Sequence, residues 1–163
     1  AFVPQNWAEG LDENGRPIEK PEARYGEAPF MQNPGPLGAH NWQPMAFNPD
    51  LGLVYIPAQE APEFYAVDRL FKTRAQNWNT GTSLPAGIPM DLDLATAMAL
   101  RATLKGRLIA WDPIAQQARW SVEHLNAWNG GVLSTAGGLV FQGRLEGRPN
   151  IQNSFFPFIL RWF

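Results

Sequence analysis

The 163 residues carry 15 acidic and 13 basic side chains, a formal charge of −2, and 45% of them are hydrophobic, enough for a sizeable core. That balance leaves no basic footprint for a phosphate backbone or an anionic membrane surface, so nucleic acid is excluded as an expected partner. No apolar run reaches the roughly 18 residues of a membrane span, and the absence of cysteine removes disulfides, thiolate metal sites and covalent haem attachment from this chain.

Charged residues make up only 17%, against 15 glycines, 15 prolines and seven tryptophans. Such a composition has many turns and many large ring anchors, and it points to an all-β fold. The first residues, Ala1 to Gln5, lack the basic and then apolar pattern of a secretory leader. Met31 is the first methionine, so the chain is expected to be an interior piece of a longer coding sequence.

Residues 1–39, with a turn at Asp12-Glu13-Asn14-Gly15-Arg16-Pro17, are expected to be the tail of a preceding unit and a linker. The next stretch places Gln43-Pro44-Met45-Ala46-Phe47 and Leu53-Val54-Tyr55-Ile56-Pro57 on either side of Asn48-Pro49-Asp50-Leu51-Gly52, a hairpin pattern. Residues 58 to 105 then interrupt the strand rhythm. Pro62, Pro85 and Pro89 limit regular structure there, and only 91–104 is rich enough in helix formers for a helical turn or two. A second hairpin runs from Gly106 to Trp111 and from Ala118 to Val122 through Ala115-Gln116-Gln117, and a third from Val132 to Gln142 through Ala136-Gly137-Gly138.

The strands at about 43–47, 53–57, 106–111 and 118–122 are expected to form one four-stranded antiparallel sheet, after which the pattern restarts at 131. This is the repeat of a propeller blade. The expected architecture is therefore a partial β-propeller of about one and a half four-stranded blades. Its parts are 1–39, a blade over 40–123 with a long irregular insertion at about 58–105, and the start of another blade over 124–163. After Gly143 the rhythm breaks, and the tail Phe155-Phe156-Pro157-Phe158-Ile159-Leu160-Arg161-Trp162-Phe163 has no polar alternation.

Three ordered motifs carry a resemblance. The spacing Ala110-x-Asp112-x-x-Ala115-Gln116-x-x-x-Trp120 resembles the tryptophan-docking motif of quinoprotein alcohol dehydrogenases, with Ala115-Gln116 where that family usually has Thr-Gly. In such a motif the Asp caps a tight turn and the Trp packs between blades. The segment Gly38-Ala39-His40-Asn41-Trp42-Gln43-Pro44-Met45-Ala46-Phe47-Asn48-Pro49 is similar to the family segment that sets an Asn-Trp pair near pyrroloquinoline quinone (PQQ). Trp128-Asn129-Gly130-Gly131, continuing to Gly143, resembles the family's Trp-Gly-Gly blade entrance, and the Asn after the Trp resembles the soluble quinohaemoprotein branch more than the methanol dehydrogenases.

The resemblance implies an eight-bladed propeller enzyme of the periplasm that oxidises a primary alcohol to an aldehyde and passes electrons through PQQ to a cytochrome. It implies that Asn41 hydrogen-bonds the quinone, that Trp42 lies beside it, and that Trp128 approaches it from the blade entrance. A neutral amide and indole groups can orient a ligand bearing carboxylates and carbonyls without adding charge. The family's catalytic Asp, calcium ligands, vicinal disulfide and cofactor-binding Lys match no position here, and its haem c domain would follow downstream. No catalytic residue and no metal ligand is therefore assigned in this chain, and the remaining propeller blades are expected partners. Asp91, Asp93 and Asp112 receive no catalytic role. Glu60 and Glu63 read as a solvated loop face, and His40 and His124, outside any metal-ligand spacing, read as structural. A cofactor-free propeller serving as a protein-interaction scaffold is the competing reading.

Overall fold

The computed structural model describes residues 2–76, 79–83, 95, 102–124 and 127–144. Its centre is the expected antiparallel sheet. β4 (Ala46–Asn48), β5 (Leu53–Glu60), β8 (Lys105–Asp112) and β9 (Gln117–His124) lie side by side in that order. The turn between β4 and β5 is closed by Asn48, whose Oδ1 accepts hydrogen bonds from the amides of Asp50 (3.0 Å) and Leu51 (3.1 Å). The turn between β8 and β9 uses Asp112 in the same way, with Oδ1 accepting from Ile114 (3.0 Å) and Ala115 (2.9 Å). Short Asx side chains mimic a backbone turn and fix the reversal.

β5 and β8 are apolar on both faces because both faces are covered. One face carries Leu53, Tyr55, Leu108 and Ala110, with Trp120 and Val122 packed against them, and meets Val132 and Val140 of the following hairpin. The opposite face carries Ile56, Ala58 and Ile109, with Val54 and Trp111, and meets Phe2, Val3 and Ala39. Phe2 and Trp111 pack edge to face with centroids 6.2 Å apart. The docking tryptophan has a simple geometric basis. Tyr55 is opposite Ala110, and Ala110 is opposite Trp120. The small Ala110 side chain lets the two flanking rings meet over it, 5.8 Å apart and tilted by 35°.

The following hairpin is β10 (Asn129–Ser134) and β11 (Val140–Arg144). Gly138 takes φ +77° in its turn, a conformation open to glycine at little cost. Before the central sheet, β1 (Ala8–Leu11) pairs with β2 (Pro17–Glu19). The Asp12 turn is as expected, with Oδ1 accepting from the amides of Asn14 and Arg16.

Within the 58–105 insertion, β6 (Glu63–Val67) pairs with β3 (Phe30–Gln32) on one side and with β7 (Thr82–Ser83) on the other. These short strands are joined by non-repetitive chain, so the insertion is tied to the segment before the blade. Of the helical stretch expected at 91–104, Ala95, Ala102 and Thr103 are described and helical and Leu104 is described outside the helix; the rest, Asp91 and Asp93 included, lies outside the described residues. The apolar tail over 155–163 does too.

Glu60 departs from its reading as a solvated loop group. It ends β5, is buried, and pairs with Arg107 of β8, which also approaches Glu123 of β9 at 3.9 Å. The strand runs three residues beyond the expected end at Pro57, and this carries the carboxylate into the sheet. No helix among the described residues is long and apolar enough to cross a membrane.

Candidate functional site: a rim built on the end of β5

β4 pairs with β5 only as far as Tyr55. Beyond that point the segment before β4 takes over. The Gln59 amide donates to the Ala39 carbonyl (2.9 Å), and the Gln59 side-chain Nε2 donates to Leu37 (3.0 Å) and Gly38 (3.4 Å) carbonyls. His40 Nδ1 lies 3.0 Å from the Pro57 carbonyl. The loop carrying Asn41 and Trp42 is thus fastened at its base by two residues of β5, Pro57 and Gln59.

The same strand end receives the second segment. Asn129 Nδ2 donates to the Ala58 carbonyl (2.9 Å). The Val132 amide donates to the Pro44 carbonyl (2.8 Å). Gly131 lies against the Pro44 ring so closely that a Cβ there would come within 2.6 Å of Pro44 Cδ, which excludes a side chain without a shift of the proline. Residues 39–44 and 127–132 therefore share one rim.

A bulge decides what points out of that rim. Asn129 is opposite Arg144 and Val132 is opposite Gln142, three steps on β10 against two on β11. Strict alternation from buried Val132 would turn residue 128 inward. The extra residue reverses the phase, burying Ala127 and Asn129 and leaving Trp128 49% exposed. Trp42 is 71% exposed. Asn41 is also exposed, with Nδ2 donating to the Leu37 carbonyl (3.0 Å) and Oδ1 facing no donor among the described residues.

Behind the rim is a buried polar layer that the residue types alone did not single out. His124 Nε2 meets Gln142 Oε1 at 3.0 Å, and Gln142 Nε2 donates to the Gly130 carbonyl at 3.3 Å. Since Gln142 presents its oxygen to the ring, His124 donates from Nε2. Asn129 Oδ1 and Gln43 Oε1 are buried acceptors without a hydrogen-bond partner among the described residues. Polar residues at strand positions where alternation calls for apolar ones were the available signal, at Asn129 and Gln142.

Two exposed indoles and an exposed neutral amide on one rim fit one side of a planar ligand bearing carbonyls and carboxylates, as PQQ does. Among the described residues no group of three or more His, Asp or Glu side chains could hold a metal ion. Burial raises the Tyr55 phenol above its usual range, and burial with the neighbouring Glu63 and Tyr25 raises Tyr65.

No family model matches the chain. It is 46% identical over 156 residues to the quinohemoprotein alcohol dehydrogenase of Comamonas testosteroni, covering 90% of this chain and 20% of that protein. It is 43% identical over 152 residues to a 1-butanol dehydrogenase (cytochrome c) of Thauera butanivorans, again 90% of this chain and 20% of the relative. The solved structure of quinohemoprotein alcohol dehydrogenase ADHIIG from Pseudomonas putida superposes with a TM-score of 0.75 at 39% identity, over 87% of this chain and 21% of that one. The chain thus spans about a fifth of the length of the curated relatives it matches. In sequence and in propeller fold, it is similar to one segment of the quinohemoprotein alcohol dehydrogenases, the family that its motifs at 38–49, 110–120 and 128–143 resemble.

Proposed function

We propose that the chain acts as part of a periplasmic PQQ-dependent alcohol dehydrogenase, forming one side of the quinone site with Asn41, Trp42 and Trp128. The observation that carries the reading is the shared rim. Segments 39–44 and 127–132, far apart in sequence, are fastened to neighbouring residues of β5, the first to Pro57 and Gln59 and the second to Ala58, and the side chains they expose are of the kinds that hold a flat, anionic ligand.

Bound there, the quinone would supply the two-electron oxidising power for converting a primary alcohol to an aldehyde, with a cytochrome as the onward acceptor. The chain's own residues have other tasks. Trp42 and Trp128 offer ring faces that exclude water, and the Asn41 amide adds a neutral polar contact that fixes orientation without a competing charge. Proton abstraction from the alcohol, calcium and haem c fall to residues supplied by other blades and domains.

A titration with PQQ tests this. The isolated chain should bind weakly or not at all, and supplying the missing blades as a second chain should give saturable binding that Trp42→Ala and Trp128→Ala each weaken about tenfold or more, as expected for loss of a stacking ring. No binding in the reconstituted protein would overturn the proposal and favour a cofactor-free scaffold.

A further inference from the structure

We infer that Asn129 is a positioning residue for Trp128: its side-chain amide clamps the blade entrance to β5 and so sets the indole on the same rim as Asn41 and Trp42. The inference rests on the quinone-site reading for its functional meaning, though the clamp itself stands on geometry.

Asn129 is 6% exposed, and its Nδ2 donates to two carbonyls, that of Ala58 at 2.9 Å and that of Ala127 at 3.3 Å. The opposite rotamer would set oxygen against oxygen at both contacts, so the amide has one orientation. In that orientation Oδ1 is buried without a partner among the described residues. A buried acceptor left unmatched costs free energy, so the donor side is what this residue contributes.

The two carbonyls flank the function. Ala127 immediately precedes Trp128, and Ala58 adjoins Gln59, whose amide and side chain hold Leu37, Gly38 and Ala39 just ahead of Asn41. Asn129, through Ala58, and Gln59 therefore tie the two halves of the rim to adjacent residues of a single strand. The bulge at 129–132 makes this possible, because it turns Asn129 inward and Trp128 outward together. His124 and Gln142 brace the same stretch from behind through the Gly130 carbonyl.

The test is the Trp128 indole N–H resonance in a proton–nitrogen spectrum of the full chain, identified by its loss in Trp128→Phe. Asn129→Ala should move that resonance while those of Trp111 and Trp120 keep their positions. In the chain reconstituted with the missing blades it should also weaken PQQ binding about tenfold, the loss of roughly one hydrogen bond. An unmoved Trp128 signal, or a common shift of all tryptophan signals, overturns the clamp. Should Asn129→Ala fail to fold, the wild-type chain decides: a nuclear Overhauser contact from the Asn129 side-chain amide to Ala58 supports the clamp, and its absence overturns it. Failure of the wild-type reconstituted protein to bind PQQ removes the quinone-site reading alone, since the indole signal still reports on Asn129.

Discussion

Tyr55 shows how one buried side chain links packing to pH. It is fully buried beneath Trp120, and burial raises its phenol above the usual value. The folded state holds this proton more tightly than the unfolded chain does. Stability associated with the neutral phenol is therefore fully present below the ordinary tyrosine pKa of about 10 and falls as pH rises through the folded value. Absorbance titration of phenolate should show Tyr55 ionising late, and Tyr55→Phe should remove that late step while shifting the onset of alkaline unfolding upward. Tyr65, raised by burial and by Glu63, should behave in the same sense. At this scale the sequence was informative about turns, because Asp12, Asn48 and Asp112 act locally. It did not disclose the contact of Asn129, whose partner Ala58 is 71 residues away.

Strands illustrate the same division. The order β4-β5-β8-β9 was legible because each hairpin carries its own turn residues and because an alternating pattern fixes which residues face which. The pairing of β3 with β6 was not, since three residues, Phe30-Met31-Gln32, have no distinctive period. Nor was the extension of β5 to Glu60, because Pro57 reads as the end of the strand. At that extension Glu60 and Arg107 close the root of the insertion, where the chain leaves β5 and returns on β8. Arg107→Ala would leave a buried carboxylate without its cation, a cost of about 3 kcal/mol or more. Amides of β5 and β8 should lose protection from hydrogen exchange in that variant, and Glu60→Gln combined with Arg107→Ala should recover most of it. Equal loss in the single and double variants would show that Arg107 acts through its packed stem instead.

For the whole molecule, the two covered faces of the central sheet contrast with what lies at its margins. Met45, Phe47 and Leu133 are exposed, as are Trp42 and Trp128, and β10 and β11 form a two-stranded sheet among the described residues. Unpaired strand edges and uncovered apolar side chains lower stability and invite association. On its own the chain should unfold in a broad, weakly cooperative transition and turn over no alcohol. A sharp, concentration-independent melt by circular dichroism would contradict this. The class of fold and the family resemblance were readable because blades repeat and docking motifs are local. The rim was not, since it exists only once two blades meet.

That meeting has a temporal side. The hydrogen bond from Asn129 to Ala58 closes a loop of 71 residues, whereas Gln59 and Ala39 are joined across only 20. Loop closure becomes slower and costlier as the intervening chain lengthens. During folding, Asn41 and Trp42 can be seated by this short closure once β5 has formed. Seating Trp128 requires the longer closure across the insertion, β8 and β9, and is expected to come later. The rim is thus assembled in two stages, and its completion reports that the blade behind it is whole.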